Sequence, residues 1–519
     1  MFGGPARQLD ELSAELASAN VIAGRHGSKP VRQVLSVASE IYPIVKTGGL
    51  ADVVGALPAQ LMQHGVRMRT LIPGYRAIRK HLTRAHQLHR YDRLLGVPAA
   101  IYEIELEGLD LLVLDAPLLF DRAGGPYQDE HGLPFADNWL RFAAFSRAAA
   151  DIGQGLLEDW SPDAVHLHDW QAALTAAYLH FEPKPAPPCI MTIHNMAFQG
   201  NFDSSFFGIL GLPQHAYTME GVEYHGSVSY LKAGLQLSDA ITTVSPTYAH
   251  EVTSFEFGMG LEGVINARKD HIHGIVNGID EVVWDPESDP LITRTFSRRK
   301  LAARRYNRRT LEHAFGLVPS SRLIVSVVSR LTWQKGADVI ADCADDIVAM
   351  GANLVVLGQG SKEIERAFEA AALRHPGRIG VNTQFSEDIA HQVHAGADAT
   401  LLPSRFEPCG LTQQYALRYG CAPIVNRTGG LTDTVIDAND AAISHGAGTG
   451  FAFNGLSRSN MLQAIRRAQN LHRQPNQWSM IIRNAMKTDC SWTRSAARYA
   501  EFYETLISQN QEQGQRAVG

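Results

Sequence analysis

Short apolar runs alternate with helical-period segments along most of the chain. Val34 to Ala38, Met68 to Ile72, Ala164 to Leu167, Ile190 to Ile193 and Ala240 to Val244 are short, mostly apolar runs. That is the pattern of parallel strands buried on both faces, not of half-exposed ones. Ala99 to Leu106 and Leu111 to Leu114 read as a hairpin pair across Glu107-Gly108. Asn138 to Ile152 is strongly helical. The rhythm breaks between Asp285 and Thr310, where Asp285-Pro286 and Asp289-Pro290 interrupt it, and restarts at Leu323. Leu323 to Val328, Leu354 to Leu357, Ile379 to Val381, Ala399 to Leu402 and Pro423 to Val425 are the second set of strands. Asn460 to Ile507 is mostly helical, anchored by Trp492, Tyr499, Phe502 and Tyr503. The alternation predicts an α/β protein with two doubly wound halves around a crevice. The first half spans residues 31–285 and the second 286–485, with a C-terminal segment over 486–519. Residues 1–30 read as an appendage with a short surface helix at Glu11 to Ala19.

Polar residues cluster just past the strands, where open α/β sheets place their ligands. The sharpest case is Val34 to Pro58: a strand, then Lys46-Thr47-Gly48-Gly49, then a helical pattern from Leu50. A glycine loop ahead of a helix aims backbone N–H groups and a positive dipole end at an anion. Lys46 adds a full charge. The same residues also fit a tight strand-to-helix turn with a solvated lysine. Thr428-Gly429-Gly430-Leu431-Thr432-Asp433 echoes Thr47 to Asp52 in the second half. Arg330 and Lys335 share one strand-to-helix loop, and Glu407 sits in another, SRFEPCGL. Three cations and a helix start suit a pyrophosphate leaving group without a metal. Glu407 could accept sugar hydroxyls or balance positive charge at a reacting carbon, or simply complement a helix dipole. His194 could donate to a hydroxyl or carbonyl, or be structural. Cys409 has no assigned partner to activate it and reads as a small packed residue.

Bulk properties narrow the classes. A chain of 519 residues exceeds one core. A net charge of −6 gives no case for nucleic acid or an anionic membrane. The basic run Arg294, Arg298, Arg299, Lys300, Arg304, Arg305, Arg308 and Arg309 therefore reads as a solvated linker helix. Five scattered cysteines argue against a disulfide framework or zinc site and fit a reducing, cytoplasmic setting. No run is long and apolar enough to span a membrane. Without a GxGxxG fingerprint, an NAD-type oxidoreductase is disfavoured.

The motifs VKTGGLADVVGALP, HLHDWQAAL, TIHNMAFQG, YLKAGL, GLEGVINAR, IVNGID, SRLTWQKG, PSRFEPCGLTQ and RTGGLTDTV occur in that order from Val31 to about Tyr503. In them the chain resembles the bacterial glycogen synthases and plant starch synthases, retaining two-domain sugar-nucleotide glycosyltransferases. The resemblance implies the GT-B fold, two facing Rossmann-like domains with a C-terminal helix crossing back to the first. It also implies glucose transfer from ADP-glucose to the non-reducing end of an α-1,4-glucan such as glycogen, with retention and without a metal or other cofactor. By that resemblance Lys46, with Gly48 and Gly49, binds the donor, and Arg330 and Lys335 hold its phosphates. Glu407 contacts the glucose beside Cys409, Gly410 and Leu411, and Thr412 reaches the phosphate. His194, Asn195 and Asn277 lie near the transferred glucose and the incoming chain, with Asn195 counted on the acceptor side. Tyr127, Asp169 and Trp170 line the acceptor side, and Phe385 takes the place of the aromatic that stacks on adenine. Gln171, Phe198, Phe257 and Ser361-Lys362 depart from the common pattern and bear on donor preference or acceptor affinity. A related transferase using UDP-glucose and a catalytically silent glucan-binding homologue are the alternatives. A front-face transfer and a covalent intermediate on Glu407 both fit the residues.

Overall fold

The computed structural model describes residues 31–518, with side chains described to residue 512; the expected appendage and its helix at 11–19 lie outside the described residues. The first half is built on a nine-stranded sheet. Its strands lie in the order Ile272–Gly274, Ala240–Thr243, Cys189–Ile193, Ala164–His168, Arg32–Val37, Val66–Pro73, Leu109–Asp115, Val97–Leu106 and His86–Leu94. The first seven of these run parallel, and the last two are added antiparallel. Counted along the chain, the parallel strands read 7-6-5-4-1-2-3 across the sheet, so the order reverses beside Arg32–Val37.

The second half repeats the plan with an all-parallel six-stranded sheet. Its order is Ile379–Asn382, Asn353–Leu357, Ile324–Val328, Ala399–Leu402, Ala422–Asn426 and Phe451–Phe453, which is 3-2-1-4-5-6 along the chain. That is the doubly wound order whose crevice opens where the direction of winding changes. The loops after Ile324–Val328 and Ala399–Leu402 flank this reversal, and they carry Arg330, Lys335 and Glu407.

Two elements escape the apolar pattern. His86–Leu94 is an edge strand, and only Leu94 in it is buried. Its polar sequence keeps an unpaired edge wettable and hides the strand from a hydrophobicity reading. Asn201–Asp203, Glu223–Tyr224 and Ser227–Ser229 form a small separate sheet, each strand too short to show a period. The basic run corrects an expectation. Arg304 opens the helix Arg304–Ala314 and donates to the carbonyls of His394 and Ala397, closing the C-terminal end of the helix Glu387–Gly396. Arg308 binds Asp398 and Glu312. These two arginines are structural, while Arg298, Arg299, Lys300 and Arg309 are exposed.

The two halves are joined twice. Ile279 bridges to Ser491 and donates to the Cys490 carbonyl, so both crossings run side by side. Beyond them the helix Trp492–Val518 returns to the first sheet. Trp492, Ala496, Tyr499, Tyr503 and Ile507 pack with Val53, Leu57 and Leu61 of the helix Gly49–Met62 and with Val34 and Ala164 of the sheet. Arg32 adds an ion pair to Glu504 at 2.9 Å. Phe502 is only partly buried, packs at the margin of this cluster and meets the His273 ring at a tilt of 60°.

Across the cleft the halves cap each other's helices. Asp433 accepts from Ser245 Oγ at 2.6 Å, Thr247 Oγ1 at 2.6 Å and the Thr247 amide at 3.0 Å, at the start of the helix Pro246–Glu251. Glu251 in return accepts from the Gly429 amide at 2.9 Å and Thr428 Oγ1 at 3.1 Å, at the start of the helix Gly429–Thr434. Each half thus supplies an anion to helix N–H groups of the other, and a cap of this kind is worth roughly 0.5–2 kcal/mol. Exchanging both Glu251 and Asp433 for Ala should widen the ligand-free cleft. Small-angle scattering should then give a larger radius of gyration than for wild type; an unchanged radius contradicts an energetic role for the caps.

Candidate active site

The loop after Arg32–Val37 is organised by a residue that sequence reading passed over. Glu40 is buried and accepts from the Thr47 amide and hydroxyl, each at 2.5 Å, and from the Gly48 amide at 3.3 Å. Tyr127 donates to the same carboxylate at 2.5 Å and meets Ser39 Oγ at 2.7 Å. Lys46 therefore stands on a loop pinned from beneath. Its Nζ reaches Asp52 at 2.8 Å and, from the other half, Glu387 at 3.5 Å. Burial opposes the ammonium, but Asp52 and Glu387 outweigh it and raise its pKa. Gly48 is extended, with φ −160°, and no described atom would meet a Cβ there; a Cβ at Gly49 would lie 3.7 Å from a Leu411 methyl. Nothing in the protein itself demands glycine at 48, which leaves open space in front of the loop.

Asp169 begins the helix Asp169–Phe181 with φ +56°, a backbone state that is uncommon outside glycine. Its carboxylate binds the amides of His194 at 2.7 Å and Asn195 at 3.3 Å. Asp169 thus fixes the turn after Cys189–Ile193 through one of its two carboxylate oxygens. Burial pushes its pKa up to about 7, against those two amides. Burial likewise takes His194 down to about 3, so its imidazole is neutral. Asn195 Oδ1 accepts from the Ala197 amide. Trp170, expected on the acceptor side, is largely buried. It packs edge-on to Phe142 at 5.0 Å and against Phe202 at 5.8 Å, and Gly200 lies so close that a Cβ there would fall 2.4 Å from the indole. Its apolar bulk belongs to the core.

In the second half Lys335 Nζ binds Glu407 Oε2 at 2.6 Å, and Ser404 Oγ donates to the same oxygen at 2.8 Å. Glu407 is buried, while Lys335 is half-buried. Arg330 is exposed and has no ion-pair partner among the described residues. Gly429 and Gly430 echo Gly48 and Gly49 for a different reason. A Cβ at 429, where φ is +43°, would lie 2.0 Å from the Glu407 carbonyl, and one at 430 would lie 2.1 Å from that of Cys409. These glycines let the second TGGL helix press against the loop that carries Glu407. Cys409 is buried with its pKa pushed up to about 12 by burial, which suits a packed thiol and not a nucleophile. Gly410, with φ +71°, and Leu411 lead into the helix Thr412–Arg418. Asn277 is buried, its carbonyl accepting from Gln414 and its Oδ1 enclosed without a partner. Phe385 is exposed, two residues before Glu387.

The fold therefore gathers Lys46, Gly49, Glu387 and Leu411 at one contact, and Arg330, Lys335 and Glu407 at the facing switch point. Of the three cations, two already hold carboxylates. An anion entering here competes with Asp52, Glu387 and Glu407. Among the described residues no group of three His, Cys, Asp or Glu side chains could hold a metal, and no helix is long and apolar enough to cross a membrane. Glu40, Ser404 and Glu387 were missed. Glu40, six residues before Lys46, is a carboxylate directly after an apolar strand and the one with a visible sequence signal.

Asp169 gives a pH test. Its ordinary value is 3.8 and its folded value about 7, so the native state holds the extra proton between them. Its contribution to stability is full below the lower value and lost as pH rises through the upper. Asp169→Asn keeps an acceptor for both amides but cannot ionise. The thermal midpoint of wild type should fall relative to this variant from pH 4 to pH 8, and a constant difference contradicts the assignment. Cys409→Ala should keep activity within about threefold, since its thiol does no chemistry at that pKa; complete loss would restore it as a nucleophile.

Comparison with known proteins bears on this arrangement. The starch synthase catalytic domain family matches residues 33–267, and the glycosyl transferases group 1 family matches residues 309–484. A glycogen synthase of Rhizobium johnstonii is 53% identical over 476 residues, covering 92% of this chain and 99% of that protein. One from Novosphingobium aromaticivorans is 53% identical over 482 residues, with the same coverage of 92% and 99%. The catalytic domain of starch synthase IV from Arabidopsis thaliana, solved bound to ADP and acarbose, superposes with a TM-score of 0.82 at 30% identity. That alignment covers 92% of this chain and all of the plant domain. A sucrose-phosphate synthase from Thermosynechococcus elongatus, at 15% identity and TM-score 0.58, shares the fold.

Proposed function

The chain belongs to the glycogen synthase family of retaining GT-B glycosyltransferases and is a hexosyltransferase; from that premise we propose how its residues carry the transfer of glucose from ADP-glucose to the non-reducing end of an α-1,4-glucan. The observation that carries the reading is the pairing of Lys335 with Glu407 beside the exposed Arg330, at the strand-order reversal that faces Lys46.

The diphosphate of the donor takes Arg330 and Lys335 as its cations, with the amides of Cys409, Gly410 and Leu411 and the hydroxyl of Thr412 at the start of the adjoining helix. Lys46 and the Gly48 loop close over it from the other half, and Phe385 offers its exposed ring to the adenine. Glu407 accepts hydroxyls of the glucose, while His194, Asn195 and Asn277 bound the sugar from the far side. The glucan enters along Tyr127, with Asp169 holding the His194–Asn195 turn in place. As the C1–phosphate bond breaks, the leaving oxygen gains charge, and fixed cations in a closed, water-poor cleft stabilise it. The acceptor hydroxyl bonds to C1 from the face the phosphate leaves, and its proton passes to that phosphate, giving retention. The buried free cysteines and the acidic balance support a cytoplasmic enzyme acting on a polysaccharide, not on nucleic acid or membrane.

ADP release from ADP-glucose, measured with and without glycogen and set against UDP-glucose, tests the reaction. Glycogen-dependent release from ADP-glucose is the expected result, and its absence with both donors contradicts the reading. Lys335→Ala should lower kcat by about 100- to 1000-fold, the usual cost of losing one charge-stabilising donor, with a smaller change in KM. A near-normal kcat removes Lys335 from the phosphate site.

A further inference from the structure

The strands Ala164–His168 and Cys189–Ile193 lie side by side, with His166 opposite Ile190 and His168 opposite Thr192. Each histidine reaches diagonally past its neighbour. His166 Nε2 meets Thr192 Oγ1 at 2.5 Å, and His168 Nδ1 meets His194 Nε2 at 2.9 Å. His166 is satisfied at both ends, since its Nδ1 meets Tyr503 OH at 2.7 Å. The second pair is different. Among the described residues His168 Nε2 is enclosed without a partner, whereas His194 Nδ1 has none either but is not sealed off.

Both rings are buried and neutral, so each carries one N–H and the contact between them holds one proton. Two arrangements exist. If His194 Nε2 carries that proton, the proton of His168 must sit on Nε2 and becomes an enclosed N–H donor with nothing to bind. If His168 Nδ1 carries it, the enclosed Nε2 is a bare lone pair. Orphaned buried N–H groups are the rarer and costlier defect. We propose that His168 is a positioning residue that locks His194 as its Nδ1–H form, so that His194 presents a hydrogen-bond donor to an oxygen of the bound sugar nucleotide and does not act as a base. The location of that oxygen rests on the donor site described above; the proton on Nδ1 does not.

The tautomer is read directly in the full-length, ligand-free protein labelled with ¹⁵N-histidine, from two-bond couplings between ring carbons' protons and the two nitrogens. The His194 signal is assigned by its loss in His194→Asn. Expected is a protonated Nδ1 and a bare Nε2. A protonated Nε2 on His194 overturns the proposal whatever the activity. His168→Phe keeps ring bulk but removes the donor, and His168→Asn places an amide N–H where Nδ1 stood. The Phe variant should lose about tenfold in kcat, with KM for ADP-glucose within about twofold, and the Asn variant should recover to within about threefold of wild type. An unchanged kcat in His168→Phe overturns the positioning role. If the Phe variant does not fold, the wild-type tautomer and the Asn variant still decide. A wild-type enzyme that releases no ADP while showing Nδ1–H on His194 contradicts the donor reading and leaves the tautomer standing.

Discussion

The site depends on a topological constraint, the reversal of strand order in each parallel sheet. Where winding changes direction, the two neighbouring loops diverge and leave a crevice that no helix covers. Here the reversals sit beside Arg32–Val37 in one half and between Ile324–Val328 and Ala399–Leu402 in the other. The paired crossings at Ile279 and Ser491 and the returning helix Trp492–Val518 turn them toward each other. Every charged group in the proposed reaction is on a loop at one of these crevices.

Carboxylates hold the ligand-free cleft together at the positions an anionic donor would claim. Asp52 and Glu387 face Lys46, and Glu407 faces Lys335, while Glu251 and Asp433 cap helices across the gap. A partly buried cation keeps its charge at tolerable cost only beside an anion. In the proposed function the paired state would preserve the cations' geometry until a diphosphate replaced the carboxylates, one anion exchanging for another.

Motifs with an anion-binding layout were legible in the chain because their spacing is local. Lys46 with its glycines, Arg330 with Lys335, and Glu407 all lie where strand-to-helix loops were read. The second glycine pair was legible as an echo but not in its reason: the contact of Gly429 and Gly430 with the Glu407 loop joins residues about twenty apart in sequence. Glu251 and Asp433 act through long-range hydrogen bonds that no local pattern encodes, whereas Glu40 binds Thr47 and Gly48 only seven and eight residues on. Trp170 was placed on the acceptor side by resemblance alone, and its packing against Phe142, Phe202 and Gly200 is a set of contacts that no local pattern encodes. The basic run misled in the same way, since Arg304 and Arg308 find carbonyls and carboxylates on elements that follow much later in the chain.

A crystal structure with ADP bound tests the facing-crevice arrangement most directly. The diphosphate should lie between Arg330 and Lys335, with Lys335 turned from Glu407 toward the terminal phosphate and the adenine against Phe385. Density for ADP elsewhere, or a diphosphate with the Lys335–Glu407 contact still at 2.6 Å and Arg330 unengaged, contradicts it.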